Sequence, residues 1–396
     1  MPTTVRFFSY FYAPCIGGGE VILQHQAEEL VRRGYVVHIH TTPYTNLDCR
    51  QVARTGTAVE NGVHVHRRAS FVLPFRNPLE QNAVTPSFAA EAWYPADLLV
   101  AVGFPSLHLD ALHVRSRVTR TPLVVQNYVT AEFLAEILAG QGGAGKRVRA
   151  AYWRHWTRPQ LQAANLVIAD SPAAAAALGR ELGLANVRCH IGMAVDPAEF
   201  DGASQIAEVR QKLGLGDARV LLAPSRISRQ KGADLLVEAA LPLLARHPAW
   251  KLVICGPVND ATFAASVRAA AGNSGQIVIT ELARGEFVSL VRAAEIVVLP
   301  SRGETVGGVV LEGMYCGALA VVSDAVEAAR DDYVKDGVNG LLFRSENVVA
   351  LRAALERGMS EDTSAMRREG ARMVGERFTW SASVDRLLEL YEVALA

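Results

Sequence analysis

Short runs of valine, isoleucine, leucine and alanine recur along this chain, separated by longer stretches whose apolar positions repeat every three or four residues. The short runs predict parallel strands buried on both faces, and the longer stretches predict amphipathic helices packed over them. Strands are predicted at 5–12, 35–41, 63–67, 97–102, 122–126, 165–169, 219–223, 250–255, 276–280, 295–299 and 318–322. Strand–helix alternation of this kind builds open, doubly wound sheets. The pattern breaks between Met193 and Asp201, where Asp196-Pro197 and Asp201-Gly202 interrupt it, so a linker between two domains is expected there. At 396 residues the chain suits two domains of ordinary size.

Composition narrows the partners. Forty acidic residues balance forty basic ones, which argues against a polyanion such as nucleic acid as the main ligand. Half the residues are hydrophobic, enough for each half to bury a core. Cysteines 15, 49, 189, 255 and 316 are scattered without paired spacing, as expected of a reducing cytoplasm. The apolar run from Phe7 to Tyr12 is too short for a secretion signal or a membrane span.

Three loops carry candidate chemistry. After strand 219–223 comes Ser225-Arg226-Ile-Ser-Arg229-Gln-Lys231-Gly232, three cations at the carboxyl end of a strand, where open α/β sheets bind ligands. A guanidinium and an ammonium together suit two adjoining phosphates. After strand 295–299 comes Glu304-Thr-Val-Gly307-Gly308-Val309-Val-Leu-Glu312, with a helix start expected near the glycines. Its free amides form a phosphate site, and helical rise would hold the two carboxylates roughly 12 Å apart. After the first strand, Gly17-Gly18-Gly19-Glu20 lets backbone approach a ligand before a helix expected from Val21 to Arg33. It lacks the Gly-x-Gly-x-x-Gly spacing of a dinucleotide site.

Together these segments resemble the retaining glycosyltransferases of the GT-B fold, family 4, whose pattern is Glu, seven residues, Glu. The likeness extends to Arg33-Gly34, to the strand 164–170 ending at Ser171, to Val195-Asp196 with Phe200, to Asp336-Gly337-Val-Asn339-Gly340, and to Phe378-Thr379-Trp380. It implies an α/β chain of two Rossmann-like domains facing across a cleft, 1–195 on the acceptor side and 196–378 binding the nucleotide-sugar. Helix 379–396 would return to the first domain. It implies transfer of a sugar, most often UDP-linked in this family, from a nucleoside diphosphate to a hydroxyl acceptor, with no metal or other cofactor required. Arg226 and Lys231 would stabilise the departing diphosphate and Glu304 would bind sugar hydroxyls, the three being catalytic in the electrostatic sense. Glu312 would hold the ribose. Gly18 and Gly19, the segment Gly307, Gly308 and Val309, and the positions Gly256, Pro257 and Leu282 would complete the donor site. Glu20, Asn127 and Tyr128 are expected on the acceptor side, and the segment Phe71 to Tyr94 is expected to line it.

This chain departs from the family on that acceptor side. It has no histidine at the end of strand 97–102, with His108 nearby but out of register, and Gln126-Asn127-Tyr128 stands where relatives show His-Asp. An epimerase or hydrolase on the same fold, or a non-catalytic nucleotide-sugar-binding protein, are the competing functions. The paired histidines 38 and 40, and 64 and 66, share one sheet face and are read as half-buried strand residues rather than metal ligands. The basic stretch from Gly140 to Trp156 is read as a solvated helix with its tryptophans inward, in preference to a membrane-lying one.

Overall fold

The computed structural model describes residues 3–15, 17–46, 49–72, 83–103, 106–141, 143–202 and 205–395. The chain forms two compact units, Met1–Met193 with Trp380–Ala396, and Ala194–Thr379. The α/β class expected from the hydrophobic pattern holds in both.

The first unit contains β1 (Thr4–Phe8), β2 (Val36–Thr41), β3 (Gly56–Glu60), β4 (Val63–Arg67), β7 (Leu98–Val102), β8 (Leu123–Asn127), β9 (Leu166–Ala169) and β10 (Val187–Cys189) in one sheet, and a two-strand ribbon of β5 (Phe71–Val72) and β6 (Ala83–Val84). The sheet order is β10-β9-β8-β7-β1-β2-β4-β3, parallel except where β3 runs against β4. β7 is buried at all five positions, as a central parallel strand with helices on both faces must be. On one face Val5, Phe7, Val37 and Ile39 pack with Leu23, Ala27 and Leu30 of helix Gly18–Arg32. Val384, Leu387 and Tyr391 of helix Trp380–Leu395 join that same core, and Gln126 donates to the Tyr391 hydroxyl at 3.1 Å. This burial ties the last helix to the first unit.

The second unit contains β11 (Arg219–Pro224), β12 (Trp250–Cys255), β13 (Ile277–Thr280), β14 (Ile296–Leu299), β15 (Leu319–Ser323) and β16 (Leu341–Phe343), all parallel, in the order β13-β12-β11-β14-β15-β16. Each sheet therefore reverses its strand order once. The chain runs outward from β11 through β12 to β13 and then returns to the other side of β11 with β14. In the first unit the corresponding break lies between β1 and β7. Such switch points leave a crevice beyond the carboxyl ends of the two strands.

Two expectations need correction. The first strand stops at Phe8, four residues early. Tyr10, Phe11 and Tyr12 are apolar because they are buried in a turn, where Tyr10 and Phe11 pack with Cys15 and Tyr44, and they pair with no strand. The first helix starts at Gly18 rather than Val21, since the Val21 amide already bonds the Gly17 carbonyl at 3.1 Å. Of the segment Phe71 to Tyr94, residues 73–82, with Pro74 and Pro78, lie outside the described residues, as do Ile16, Phe104 and Gly142. Among the described residues no helix is long and apolar enough to cross a membrane.

Candidate active site

Three loops of the second unit meet beyond the β11/β14 break, and two glycines let them. A Cβ on Gly232, which sits at φ +72°, would overlap the Pro300 carbonyl oxygen at the end of β14. A Cβ on Gly256, after β12, would overlap the Ser225 carbonyl oxygen after β11. Only hydrogen fits at either place, so the loop after β11 is pressed against its neighbours on both sides. Backbone bonds fix the contact. The Ile227 amide donates to the Pro257 carbonyl at 2.9 Å, and the Arg302 amide donates to the Gln230 carbonyl at 2.7 Å.

Lys231 and Glu304 form an ion pair within this arrangement. Burial, and then the neighbouring Arg226 guanidinium, push the Lys231 ammonium down to about 8. The Glu304 carboxylate works the other way and holds the proton on it. Arg226 is exposed and has no ion-pair partner among the described residues. Two cations and a carboxylate thus share one small volume, with the guanidinium on its solvent side.

Glu304 is not on the helix that follows. Gly307, at φ +75°, caps a helix that starts only at Gly308 and runs to Tyr315, and Glu304 lies in an extended segment bridged to Val326. The helical spacing of the two acidic residues therefore does not apply. The amides of Gly308 and Val309 open the first turn, and Glu312 sits one turn further along, half-buried. On the other side, the Leu282 backbone bonds the Cys255 thiol, which burial pushes up to about 11, so Gly256, Pro257 and Leu282 border the same edge of the sheet.

Arg284 escaped the sequence reading altogether. It is the first residue of helix Arg284–Arg292 and reaches both oxygens of Glu199 at 2.7 Å and Oε1 of Glu312 at 2.8 Å. Its guanidinium also lies over the rings of Phe200 and Phe287. Burial pushes the Glu312 carboxyl above the usual range, and the Arg284 charge pulls it back. Glu312 Oε2 is buried and has no hydrogen-bond partner among the described residues, so only one of the two carboxylate oxygens is held. Twenty-eight positions separate Arg284 from Glu312. No local motif signals such a pair.

In the first unit, Gly18 and Gly19 occupy the opening turn of their helix, with Glu20 beside them. A Cβ on Gly19 would stand 3.0 Å from the Tyr128 ring, and Tyr128 donates to Gln126 at 3.3 Å. Burial raises the Glu20 carboxyl and, far more strongly, the Tyr128 phenol, which also feels Asp170 and Glu20. Gly19, Glu20, Asn127 and Tyr128 are therefore neighbours at the carboxyl edge of the first sheet. The structure groups residues 226, 231, 256, 257, 282, 304, 307–309 and 312 in the second unit, and it places Gly18 and Gly19, expected at the donor, in the first unit beside Glu20, Asn127 and Tyr128, expected on the acceptor side.

The histidines stack. His38 lies 4.8 Å from His64 and His40 lies 4.6 Å from His66, ring centre to ring centre. His38 Nδ1 is 3.0 Å from His66 Nε2, and His40 bonds Glu91 at 2.6 Å. Among the described residues no group of three or more His, Cys, Asp or Glu side chains is arranged to hold a metal. In the basic stretch, Trp153 is buried as expected. Trp156 is not: it is 55 % exposed and donates to Asp110 at 2.9 Å. A π-helical turn at Trp153–Thr157 shifts the helix phase and turns Trp156 outward.

Comparison with known proteins divides the chain as its two sheets do. Residues 17–193 match the family described as glycosyl transferase 4-like domain, and residues 205–373 match glycosyl transferases group 1. D-inositol 3-phosphate glycosyltransferase 1 of Catenulispora acidiphila is 31 % identical over 313 residues, covering 76 % of this chain and 72 % of that protein. The D-inositol 3-phosphate glycosyltransferase of Kineococcus radiotolerans is 33 % identical over 222 residues, and there the match spans only half of each protein. In structure, the HepE protein of Anabaena in complex with UDP and glucose superposes with a TM-score of 0.70 at 21 % identity, over 98 % of this chain and 99 % of that one.

Proposed function

This chain belongs to the group 1 glycosyltransferases, and we propose that it moves a sugar from a nucleoside-diphosphate donor, UDP-linked, to a hydroxyl acceptor, with retention of anomeric configuration and without a metal. The observation that carries this is the meeting of Arg226, Lys231 and Glu304 at the β11/β14 switch point, beside the first turn of the helix bearing Glu312. The HepE structure, in complex with UDP and glucose, supports a nucleotide-sugar as the donor class.

The chemistry follows from charge. Breaking the bond between sugar and diphosphate leaves negative charge growing on the diphosphate. Lys231, paired with Glu304, and the backbone amides of Gly308 and Val309 would need little rearrangement as that charge develops, and the exposed Arg226 guanidinium would add its charge from the solvent side. Glu304, already against Lys231, would accept from sugar hydroxyls and keep the ammonium in register. The acceptor's proton passes to the departing phosphate. Glu312 accepts from the ribose hydroxyls, with Arg284 holding its Oε1. A cytoplasmic setting belongs to the same proposal and rests on the scattered cysteines of the sequence.

The test is a panel of nucleoside diphosphates and nucleotide-sugars screened by thermal shift. A donor at a hundred times its Kd stabilises the fold by about 2.7 kcal/mol. Nucleotide release is then followed with and without alcohols. Acceptor-dependent release is expected. Equal release without any acceptor would make the protein a hydrolase, and no stabilisation by any donor would retire the site.

A further inference from the structure

Arg284 holds Glu312, and something must in turn hold Arg284. An arginine side chain has many rotamers, and one hydrogen bond at its tip does not select among them. The guanidinium meets Glu312 through Nη2, at 2.8 Å. Glu199 takes two contacts: Nε reaches its Oε1 and Nη2 reaches its Oε2, each at 2.7 Å. This parallel, two-pronged pairing fixes the plane of a guanidinium as well as its position. The rings of Phe200 and Phe287 add to the fixing, their centres 5.6 and 5.4 Å from the guanidinium carbon.

Glu199 is itself presented from a fixed backbone. It sits on the short helix Pro197–Asp201, where the Asp196 carboxylate accepts from the Ala198 amide at 3.0 Å. Arg292, on the same helix as Arg284, donates to the carbonyls of Phe200 and Asp201 at 2.8 and 3.0 Å. Tyr315, on the helix that bears Glu312, donates to the Asp201 carboxylate at 3.2 Å. All of these residues belong to the second unit. Three helices are thus tied around a bridge of carboxylate, guanidinium and carboxylate. An ion pair that served stability alone would be complete with one carboxylate. Here the guanidinium is shared, and the second carboxylate is the one expected at the ribose.

We infer that Glu199 is a positioning residue for the donor's ribose: it fixes the Arg284 guanidinium and, through it, the carboxylate of Glu312. The inference rests on the role of Glu312 proposed above, and adds to it a residue that acts without touching the nucleotide. A carboxylate already held in place gives up little freedom when a ligand arrives. The pair therefore adds to affinity for the ribose hydroxyls and leaves the diphosphate contacts as they are.

Calorimetric titration of UDP and of 2′,3′-dideoxy-UDP into the full chain and its variants is the test. The unaltered protein should prefer UDP, and Glu312→Gln should lose most of that preference. Glu199→Ala should weaken UDP about fivefold and leave dideoxy-UDP within about twofold. Glu199→Gln, which keeps an acceptor but not the two-pronged charge pair, should fall between. Because Glu199 acts through Arg284, adding Glu199→Ala to Arg284→Ala should weaken UDP no further. The Glu199 side chain is 35 % exposed, so its removal leaves no sealed cavity to upset the fold.

An equal loss for UDP and dideoxy-UDP in Glu199→Ala would reduce Glu199 to a structural tie and overturn the inference. A further loss in the double variant, or tighter UDP binding in Glu199→Ala, would do the same. If instead the unaltered protein bound both ligands equally, or Glu312→Gln kept the preference, the ribose role of Glu312 would fall first and this inference with it. No binding of either nucleotide would overturn the donor class from which both follow.

Discussion

At the break between β11 and β14 the chain sets Arg226, Lys231 and Glu304 against one another, with Glu312 and Arg284 on the elements alongside. At the equivalent break between β1 and β7 it sets Tyr10, Phe88, Leu107 and a neutral histidine, with no formal charge among the described residues that line the space. Both sheets reverse their strand order once, which places both crevices beyond parallel strand ends. The loops decide the rest. One crevice is built around charge that pairs internally, and the other around mostly apolar surface that includes Thr85 and His108. Fold therefore locates the sites, and a handful of loop residues determine what each can take.

The largest effect that would break this contrast lies in the charged crevice. Lys231→Ala removes a cation from the place where leaving-group charge is expected, and comparable deletions of one fixed donor cost about 10²–10³ in kcat. The matching change in the first unit, Glu20→Gln on the side expected to hold the acceptor, should alter acceptor KM and leave kcat within a few-fold. Steady-state kinetics with both variants checks this. If Lys231→Ala changed only KM for the donor, the ammonium would be a binding group and the electrostatic role would fall.

Next is Gly232→Ala. The added methyl meets a backbone carbonyl in a left-handed conformation, so neither the strain nor the overlap can relax by a side-chain rotation. A loss of about 2–4 kcal/mol of stability is expected, readable in urea unfolding, together with loss of the donor-induced thermal shift. Gly18→Ala is the control from the other unit. There a Cβ would only touch the Met193 side chain at 3.8 Å, and stability should move by less than about 0.5 kcal/mol. Equal effects of the two would mean that the close approach after β11 is not what assembles the site.

A smaller effect is expected from Arg284→Ala, of roughly tenfold on UDP affinity, since a charge-assisted hydrogen bond to Glu312 is lost. The direction with pH follows. Glu312 must be ionised to accept from ribose, and burial already sets its carboxyl high. Removing Arg284 raises it further, so the fall in affinity on acidification should begin at higher pH in the variant. Arg284→Lys should recover part of the charge effect without the two-pronged grip on Glu199. Titration calorimetry at pH 5.5 and 7.5 separates these outcomes, and an unshifted acid limb in Arg284→Ala would remove Arg284 from any part in holding Glu312.

Legibility followed the same divide. Strand–helix alternation was plain because parallel strands buried on both faces are unbroken apolar runs, and 98–102 or 296–299 have no other reading. Arg226, Lys231, Glu304 and Glu312 stood out because charged residues beside strand ends need a reason to be there. The edge strand β3 was missed, since Gly56–Glu60 lies mostly exposed and carries no apolar run. The cavity was invisible because Phe88 and Leu107 read as ordinary core residues until their neighbours are known. His108 was noticed only as out of register. Arg284 was silent for a different reason: a long-range partner leaves no local trace in spacing or composition.

The smallest expected effect concerns the stacked histidines, which tie the charge contrast to stability in the first unit. His38 is held down to about 3 and His66 to about 4, first by burial, with Arg6, Arg68 and the other imidazoles adding repulsion. Glu91 opposes this, being bonded to His40 and paired with Arg68, while Thr57 bonds His66 without charge. In an unfolded chain histidine takes up its proton near 6.5. Above that pH neither state binds a proton at these rings, and stability is flat. Between about 6.5 and 4 the unfolded chain binds protons that the folded chain refuses, so stability should fall as pH falls, then level off once the folded rings also titrate. The rings are half-exposed, and solvent screening keeps the drop modest, visible as a Tm lower by a few degrees at pH 5 than at pH 7. His66→Gln keeps a polar side chain beside Thr57 and Arg68 but cannot take the proton, so it should flatten part of that slope. The corresponding charged crevice of the second unit has no such histidine stack, and a pH slope that survives both His38→Gln and His66→Gln would show that the acid sensitivity originates elsewhere.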